Sequence, residues 1–492
     1  MKRAYRFFTI LATLTLLLAC RTESTPSIPI IIDELQLCSY DAQTIEIDYN
    51  ISSSQQIALN ATADKEWVEI IDNSTPRKVI VGVSQNDGAT REATITFTAN
   101  GYAPLKVRLI QYSAPPTTAT HTLMFYFFGT SLNGYFKTNL EDAQKAIATG
   151  ILGDKNRVVF FRHRSKSEAY IGELCFDTTS KTCTERIIED GIIIEDGQLT
   201  PKAISRYINK MAAAAPAERY GIILAGHGQG WIPREALNGG NDINIFSYSN
   251  PIWQPAAGAE VTRAFGENIV QVDTAEIAEG IEGADIELDY ILFDACFMSN
   301  IEAIYDLRNA ANYIIASPCE IMGNGFPYER TLPYLFENEG STTNYIKAAE
   351  SYHKYYRDEY LSHSRCGSIA VYECSEVEAL AEATVEVVKS ATDSYDKSVL
   401  QTYEGQNPHY FYDFGEWVNA IATDDNALDI FNAQLEKTII AKYTLDTFYS
   451  AYGTFGTYDI DIEAYSGVTT LAPSEVFTDY WKQSNWYKAV WK

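Results

Sequence analysis

The chain has 492 residues, of which 46% are hydrophobic. At roughly 100–200 residues per domain this predicts more than one cored domain and excludes a disordered chain. Its 38 basic and 65 acidic residues leave a net charge of −27, a surface that repels phosphate and so argues against nucleic acid as a partner.

The first residues read as an address. Lys2, Arg3 and Arg6 precede a largely apolar run from Phe7 to Ala19. That run is too short for a bilayer, which needs about 20 residues. It ends Leu17-Leu18-Ala19-Cys20, which resembles the bacterial lipobox. The resemblance implies removal of residues 1–19, a lipid on the Cys20 thiol, and anchoring to the outer membrane on its periplasmic side or at the cell surface. An ordinary secretory leader cut nearby is the alternative, and it preserves export. Residues 20–30 then form a polar tether. Seven cysteines remain besides Cys20, so at least one thiol is expected to be free. Cys175 and Cys183 could staple a hairpin, and Cys366 and Cys374 flank an expected strand. No CxxC or other zinc spacing occurs, so no metal site is expected.

Residues 31–113 carry a period of two. Ile45, Ile47, Tyr49 and Ile51 alternate, as do Leu105, Val107 and Leu109; Asn86-Asp87-Gly88 and Asn100-Gly101 are turn signals. Short strands at this spacing predict a β-sandwich. Trp67-Val68, Val83-Ser84-Gln85-Asn86, Arg91-Glu92-Ala93-Thr94-Ile95 and Leu109-Ile110-Gln111-Tyr112 together resemble the BACON family. That implies a small immunoglobulin-like sandwich and a glycan or protein contact, against the plainer reading of a passive spacer. Residues 114–120, with Pro115, Pro116 and three threonines, form a linker.

Residues 121–492 alternate strands and helices. Leu123–Phe128, Val158–Phe161, Gly221–Ala225, Tyr290–Phe293, Tyr313–Ala316 and Ile369–Tyr372 are continuous apolar runs, as expected of strands buried on both faces. Helices are predicted over Lys137–Ala148, Pro201–Ala214, Thr274–Glu282 and Ser299–Ala310. The expected class is therefore α/β, a doubly wound sheet with helices on both faces, preceded by the all-β sandwich.

In such a sheet, sites form beyond the carboxyl ends of the strands. One strand runs into Gly226-His227-Gly228 and another into Asp294-Ala295-Cys296. A thiol needs a neighbouring base to act as a nucleophile at neutral pH, and an imidazole is a natural one. Glycines beside His227 would let backbone N–H groups approach a substrate carbonyl. Taken singly, each motif is also compatible with an inert core thiol and a commonplace histidine. The pairing of the two is what makes catalysis a serious reading.

The strings Ala217–Trp231 and Asp294–Glu302, followed by Ser317-Pro318-Cys319-Glu320 and Gly325-Phe326-Pro327-Tyr328, resemble the clostripain family of the caspase-like cysteine peptidase clan. The resemblance implies an endopeptidase with Cys296 as nucleophile and His227 as general base and acid, acting through a thioester acyl-enzyme on protein or peptide substrates. It also implies an oxyanion held by the N–H groups of Gly228 and Cys296. Relatives that cut after Arg or Lys carry acids in the specificity pocket; Asp294 matches one, and Glu320 is a second candidate. Pro327 stands where another acid is expected, and this puts a preference for basic residues in doubt. The resemblance also leaves calcium open, as in some relatives, but no D-x-D-x-D loop supports it here, so no cofactor is called from the sequence. The long insert from Ile232 to Asp273 reads as a lid or as a segment cut on activation, with Arg234 and Arg263 as candidate cut sites. The competing functional class is an inactive surface lipoprotein that binds a protein or glycan.

Overall fold

The computed structural model describes residues 25–491, apart from 39–41, 53–56, 89–90, 112–117, 154, 178–180, 195–198, 238–254, 257, 266–271, 338–340, 407, 453–457, 473 and 475. The leader, Cys20 and most of the linker lie outside the described residues. The chain divides into two compact units, 1–114 and 115–492.

The first unit is all β. Its strands are β1 (Ile30–Ile32), β2 (Leu35–Cys38), β3 (Gln43–Ile51), β4 (Asn60–Ala63), β5 (Val68–Asp72), β6 (Lys78–Val83), β7 (Arg91–Thr98) and β8 (Leu105–Gln111). They form two four-stranded sheets, ordered β1-β3-β6-β5 and β2-β8-β7-β4. Alternation decides which side chains go inside. Ile47 and Tyr49 of β3, Val79 and Val81 of β6, Ile95 and Phe97 of β7, and Val107 and Leu109 of β8 make one core.

The second unit is built on a nine-stranded mixed sheet. In chain order it contains β9 (Ala119–Phe127), α1 (Asn133–Ala148), β10 (Asn156–Ser165), β11 (Glu168–Asp177), β12 (Thr182–Ile193), α2 (Pro201–Ala214), β13 (Ala217–Ala225), α3 (Arg234–Leu237), α4 (Thr274–Glu282), β14 (Leu288–Asp294), α5 (Ile301–Leu307), β15 (Tyr313–Ala316), α6 (Tyr328–Phe336), α7 (Thr342–Asp358), β16 (Ile369–Glu373), α8 (Val377–Val388), β17 (Tyr412–Asp413), α9 (Phe414–Ile421), α10 (Asp425–Thr438), β18 (Ile439–Tyr443), β19 (Thr447–Ser450), β20 (Tyr458–Asp461), β21 (Thr469–Thr470), α11 (Thr478–Trp481) and α12 (Asn485–Val490). The sheet order is β12-β11-β10-β9-β13-β14-β15-β16-β18. The five central strands, β10 to β15 in that order, are parallel. Both edges are antiparallel. Helices flank the sheet, so the α/β class and the preceding all-β sheets match the expectation.

The central strands are buried along their length because helices cover them. Leu123 to Phe127 of β9 and Ile222 to Ala225 of β13 are all buried. Aromatic contacts tie sheet to helix: Phe127 meets Phe136 of α1 at 4.7 Å and Phe125 meets Tyr328 of α6 at 5.0 Å. Helix α2 begins as its sequence dictates, with Pro201 in the first turn and Thr200 Oγ1 accepting from Ala203 N at 3.2 Å. The expected helix over Ser299–Ala310 is shorter, Ile301–Leu307, because Asn300 is extended and caps it through Ala303 N.

The cysteine pairings suggested by spacing do not form. Across the β11–β12 ladder Cys175 faces Thr184 and Cys183 faces Phe176, so the two thiols sit on successive rungs and point to opposite faces. Cys366 and Cys374 are separated by the whole of β16. All four are free.

Candidate active site

Register brings the two motifs together. Strands β13 and β14 are parallel neighbours, and Ala225 pairs with Asp294. His227 and Cys296 each follow their paired residue by two, so both leave the sheet at the same carboxyl edge. The backbones then touch: a Cβ on Gly228 would lie 2.1 Å from Cys296 O and 2.6 Å from Cys296 N. Only glycine permits this approach. After the cysteine the chain turns sharply, with Phe297 at φ +61°, and Phe297 N donates to Cys319 O at 3.1 Å. Ser299 is buttressed by the distant tail, its Oγ donating to Gly467 O at 2.6 Å and bonding Tyr372 OH.

A described part of the insert, residues 258–265, lies across this edge. It pairs as a short strand on both sides, Gly228 with Ala264 and Thr262 with Met322. Gly228 N donates to Arg263 O at 2.7 Å, and Arg263 N donates to Ile321 O at 2.8 Å. The His227 side chain meets the peptide bond that follows Ala264, and Cys296 bonds Ile321, the residue paired with Arg263. His227 Nδ1 lies 3.1 Å from Ala264 O. Cys296 Sγ accepts from Ile321 N at 3.0 Å, beside the same residue whose carbonyl holds Arg263 N. Because a carbonyl can only accept, Nδ1 carries the proton in this arrangement. Nε2 bonds Ser131 Oγ at 2.8 Å, accepting in the neutral ring and donating in the imidazolium.

Burial pushes the Cys296 thiol well above its ordinary value, and the nearby Glu320 carboxylate adds to the rise.

The side chain of Arg263 is 0% exposed. Its Nη1 meets Asp294 Oδ2 at 2.7 Å and the Asp294 carbonyl at 3.2 Å. Nη2 donates to Asn139 Oδ1 at 2.7 Å and to Gly323 O at 3.0 Å, and Nε donates to Gly323 O at 3.1 Å. Tyr328 OH donates to the same Asp294 oxygen at 2.5 Å. Burial raises the Asp294 carboxyl and the guanidinium opposes that rise. Glu320, expected beside Asp294, is turned to the neighbouring residue instead. Its carboxylate accepts from Thr262 Oγ1 at 2.6 Å, Ser450 Oγ at 2.6 Å and Ala451 N at 3.1 Å. Burial pushes its carboxyl up to about 7. Of the two candidate cut sites, Arg263 is in the site. Arg234 is not: its N donates to Asp273 and its Nη2 meets Glu276 Oε1 at 2.8 Å.

Two residues escaped the sequence reading. Ser131 follows the strand β9 in a stretch that has no nucleophile pattern. Asn139 lies on α1 with nothing local to mark it. Among the described residues no group of three His, Cys, Asp or Glu side chains is placed to hold a metal ion, and no helix is long and apolar enough to cross a membrane.

The sequence model of the clostripain family matches residues 251–472. A secreted C11 cysteine protease from Bacteroides thetaiotaomicron is 26% identical, with 76% of this chain and 100% of that one covered and a TM-score of 0.64. An inactive zymogen C11 protease from Parabacteroides distasonis is also 26% identical, covering 77% of this chain and 100% of that one, with a TM-score of 0.62. A clostripain from Bacteroides thetaiotaomicron is 31% identical over 45% of this chain and 95% of its own, with a TM-score of 0.40. This chain belongs to the clostripain family. It is a cysteine peptidase, as the motif pair implied. No curated protein matches it. The family match begins inside the long insert and runs through Cys296 to the β21 strand.

Proposed function

We propose that this clostripain-family enzyme is an endopeptidase that uses Cys296 and His227 as a dyad, cuts after a basic residue, and before processing holds its own Arg263 in the substrate position. The single observation that carries the reading is the Arg263–Ala264 peptide bond. Its carbonyl oxygen accepts from Gly228 N at 2.7 Å, which is the contact an oxyanion would need. Its side chain fills a closed pocket with Asp294 at the end.

In the reaction the Cys296 S–H proton passes to His227, and the sulfur forms a bond to the carbonyl carbon. The oxygen takes the negative charge against the Gly228 N–H. Collapse breaks the C–N bond, the amine leaves with the proton from imidazolium, and a thioester remains. Water, deprotonated by His227, then releases the acid and restores the thiol. The Ser131 hydroxyl suits both protonation states of the ring, since it can donate to Nε2 or accept from it. Cutting after Arg263 frees the segment that covers the sulfur. The Parabacteroides distasonis relative, described as an inactive zymogen, gives this latent state a precedent.

The lipobox-like end of the leader supports export and a lipid on Cys20, with residues 20–30 as a tether. The two-sheet β unit and its BACON-like strings support a spacer or contact module that holds the peptidase off the membrane.

The test is Cys296→Ala. The full chain should show no hydrolysis of Arg-containing peptides and no new N-terminus at Ala264, while retaining its far-UV circular dichroism. Turnover in that variant would overturn the proposal.

A further inference from the structure

We infer that the enzyme reads the residue before the basic one as well, and that its second subsite selects a hydroxyl-bearing side chain, threonine or serine, through Glu320. This rests on the reading that Arg263 marks the substrate position.

Three successive side chains of the resident segment are treated differently. Val261 is 51% exposed, so the site exerts little grip there. Arg263 is held by charge and geometry. Between them Thr262 is only 4% exposed, and its backbone pairs with Met322 as an antiparallel bridge. Its hydroxyl donates to Glu320 Oε2 at 2.6 Å.

Glu320 is fully buried and ties the subsite to a second wall. Its Oε1 accepts from Ser450 Oγ at 2.6 Å and from Ala451 N at 3.1 Å, and Oε2 has a longer 3.2 Å contact from Ala451 N. The carboxylate is thus fixed by protein groups, with one oxygen turned to the incoming residue. The short contact to that oxygen comes from the segment itself. A valine has nearly the shape of threonine but puts a methyl where the hydroxyl stood, leaving a buried acceptor short of its best donor. A site built to bond a hydroxyl discriminates strongly against the analogue that lacks it.

The experiment uses the processed full-length enzyme and three fluorogenic peptides that differ only at this position: acetyl-Ala-Thr-Arg-, acetyl-Ala-Ser-Arg- and acetyl-Ala-Val-Arg-aminomethylcoumarin. The expected kcat/KM for threonine exceeds that for valine by about tenfold or more, with serine closer to threonine. In Glu320→Ala the threonine-to-valine ratio should fall toward one. That variant also loses the ties to Ser450 and Ala451, so the peptide series on the unaltered enzyme decides the matter if it does not fold. Equal rates for threonine and valine overturn the second subsite and leave the dyad and the arginine pocket standing. Failure to cleave any of the three peptides, with Cys296 slow to alkylate, overturns both.

Discussion

Removing the guanidinium from position 263 should uncover Cys296. The variant is Arg263→Met in a His227→Ala chain, which keeps both the variant and its reference uncut. Methionine preserves most of the side chain's length and apolar volume but none of its donors. It therefore loses the 2.7 Å pair with Asp294 and the bonds to Asn139 and Gly323, and it leaves a carboxylate buried without its cation. Breaking one partner of a buried pair costs about 3–5 kcal/mol. The segment has a cheaper route than global unfolding, which is to leave the pocket and let water reach Asp294. The loss should therefore appear as local opening. At about 1.4 kcal/mol per tenfold, 3 kcal/mol corresponds to roughly a hundredfold rise in the open population. Iodoacetamide alkylation, mapped by mass spectrometry to separate Cys296 from the partly exposed Cys175 and Cys183, should accelerate at Cys296 by that order. Adding Asp294→Asn should cancel much of the gain, because the stranded charge is then gone. An unchanged alkylation rate at Cys296 in Arg263→Met would refute the idea that this side chain pins the cover.

Two further outcomes follow from single contacts. Ser131→Ala removes the Nε2 partner of His227, so kcat should drop by about five- to tenfold, from a hydrogen bond worth about 1 kcal/mol, with KM little changed. Ser131→Thr should recover most of the rate, and a loss in KM alone would argue against a positioning role. Glu302 is fully buried, and burial pushes its carboxyl from 4.5 up to about 7. The folded state therefore holds that proton more tightly than the unfolded chain. Stability from this group is full below about 4.5 and is lost as pH rises to about 7, by roughly 3 kcal/mol in all. In the Cys296→Ala background, Glu302→Gln should flatten that slope, since one amide oxygen can still accept from Trp481, Thr470 and Leu471. Urea unfolding at pH 5 and pH 8 measures it, and identical pH slopes for the two chains would contradict the buried-carboxyl account.

Much of the fold was legible because it rests on local patterns. The helices over Pro201–Ala214 and Thr274–Glu282 and the strand over Tyr313–Ala316 match their expected bounds. Continuous apolar runs marked the strands that helices cover. The antiparallel edge was harder: β12 is largely half-buried or exposed, so its residues carry no strong apolar signature. The candidate residues at the strand ends, His227 and Cys296, were visible because each motif is contiguous. Ser131 and Asn139 were not, because their roles depend on which distant segment the fold lays beside them. Glu320 was placed one residue off along the resident segment. The family resemblance offered it as a second pocket acid, but its carboxylate is tied to Ser450 and Ala451 from the far end of the chain.

Pro327 puts a basic preference in doubt, but on the proposed reading of Arg263 as the substrate residue its guanidinium is satisfied without an acid at that position. A guanidinium carries one positive charge but five N–H donors in a plane. One buried carboxylate neutralises the charge; the remaining donors require acceptors, and neutral ones suffice. Asn139 Oδ1 and the carbonyls of Gly323 and Asp294 supply them. The orientation of the asparagine amide is set independently, since its Nδ2 donates to Asn324 O at 2.8 Å and so turns Oδ1 toward the guanidinium. Gly325, at φ +70°, leaves the room: a Cβ there would fall 2.3 Å from Arg263 Nη2. A second acid in this fully buried pocket would repel the first whenever no cation was present, and would raise the cost of keeping either ionised. A pocket of one acid and several oriented neutral acceptors is therefore suited to a planar, multiply donating group, and less so to a lysine ammonium, whose three donors could not satisfy the same set.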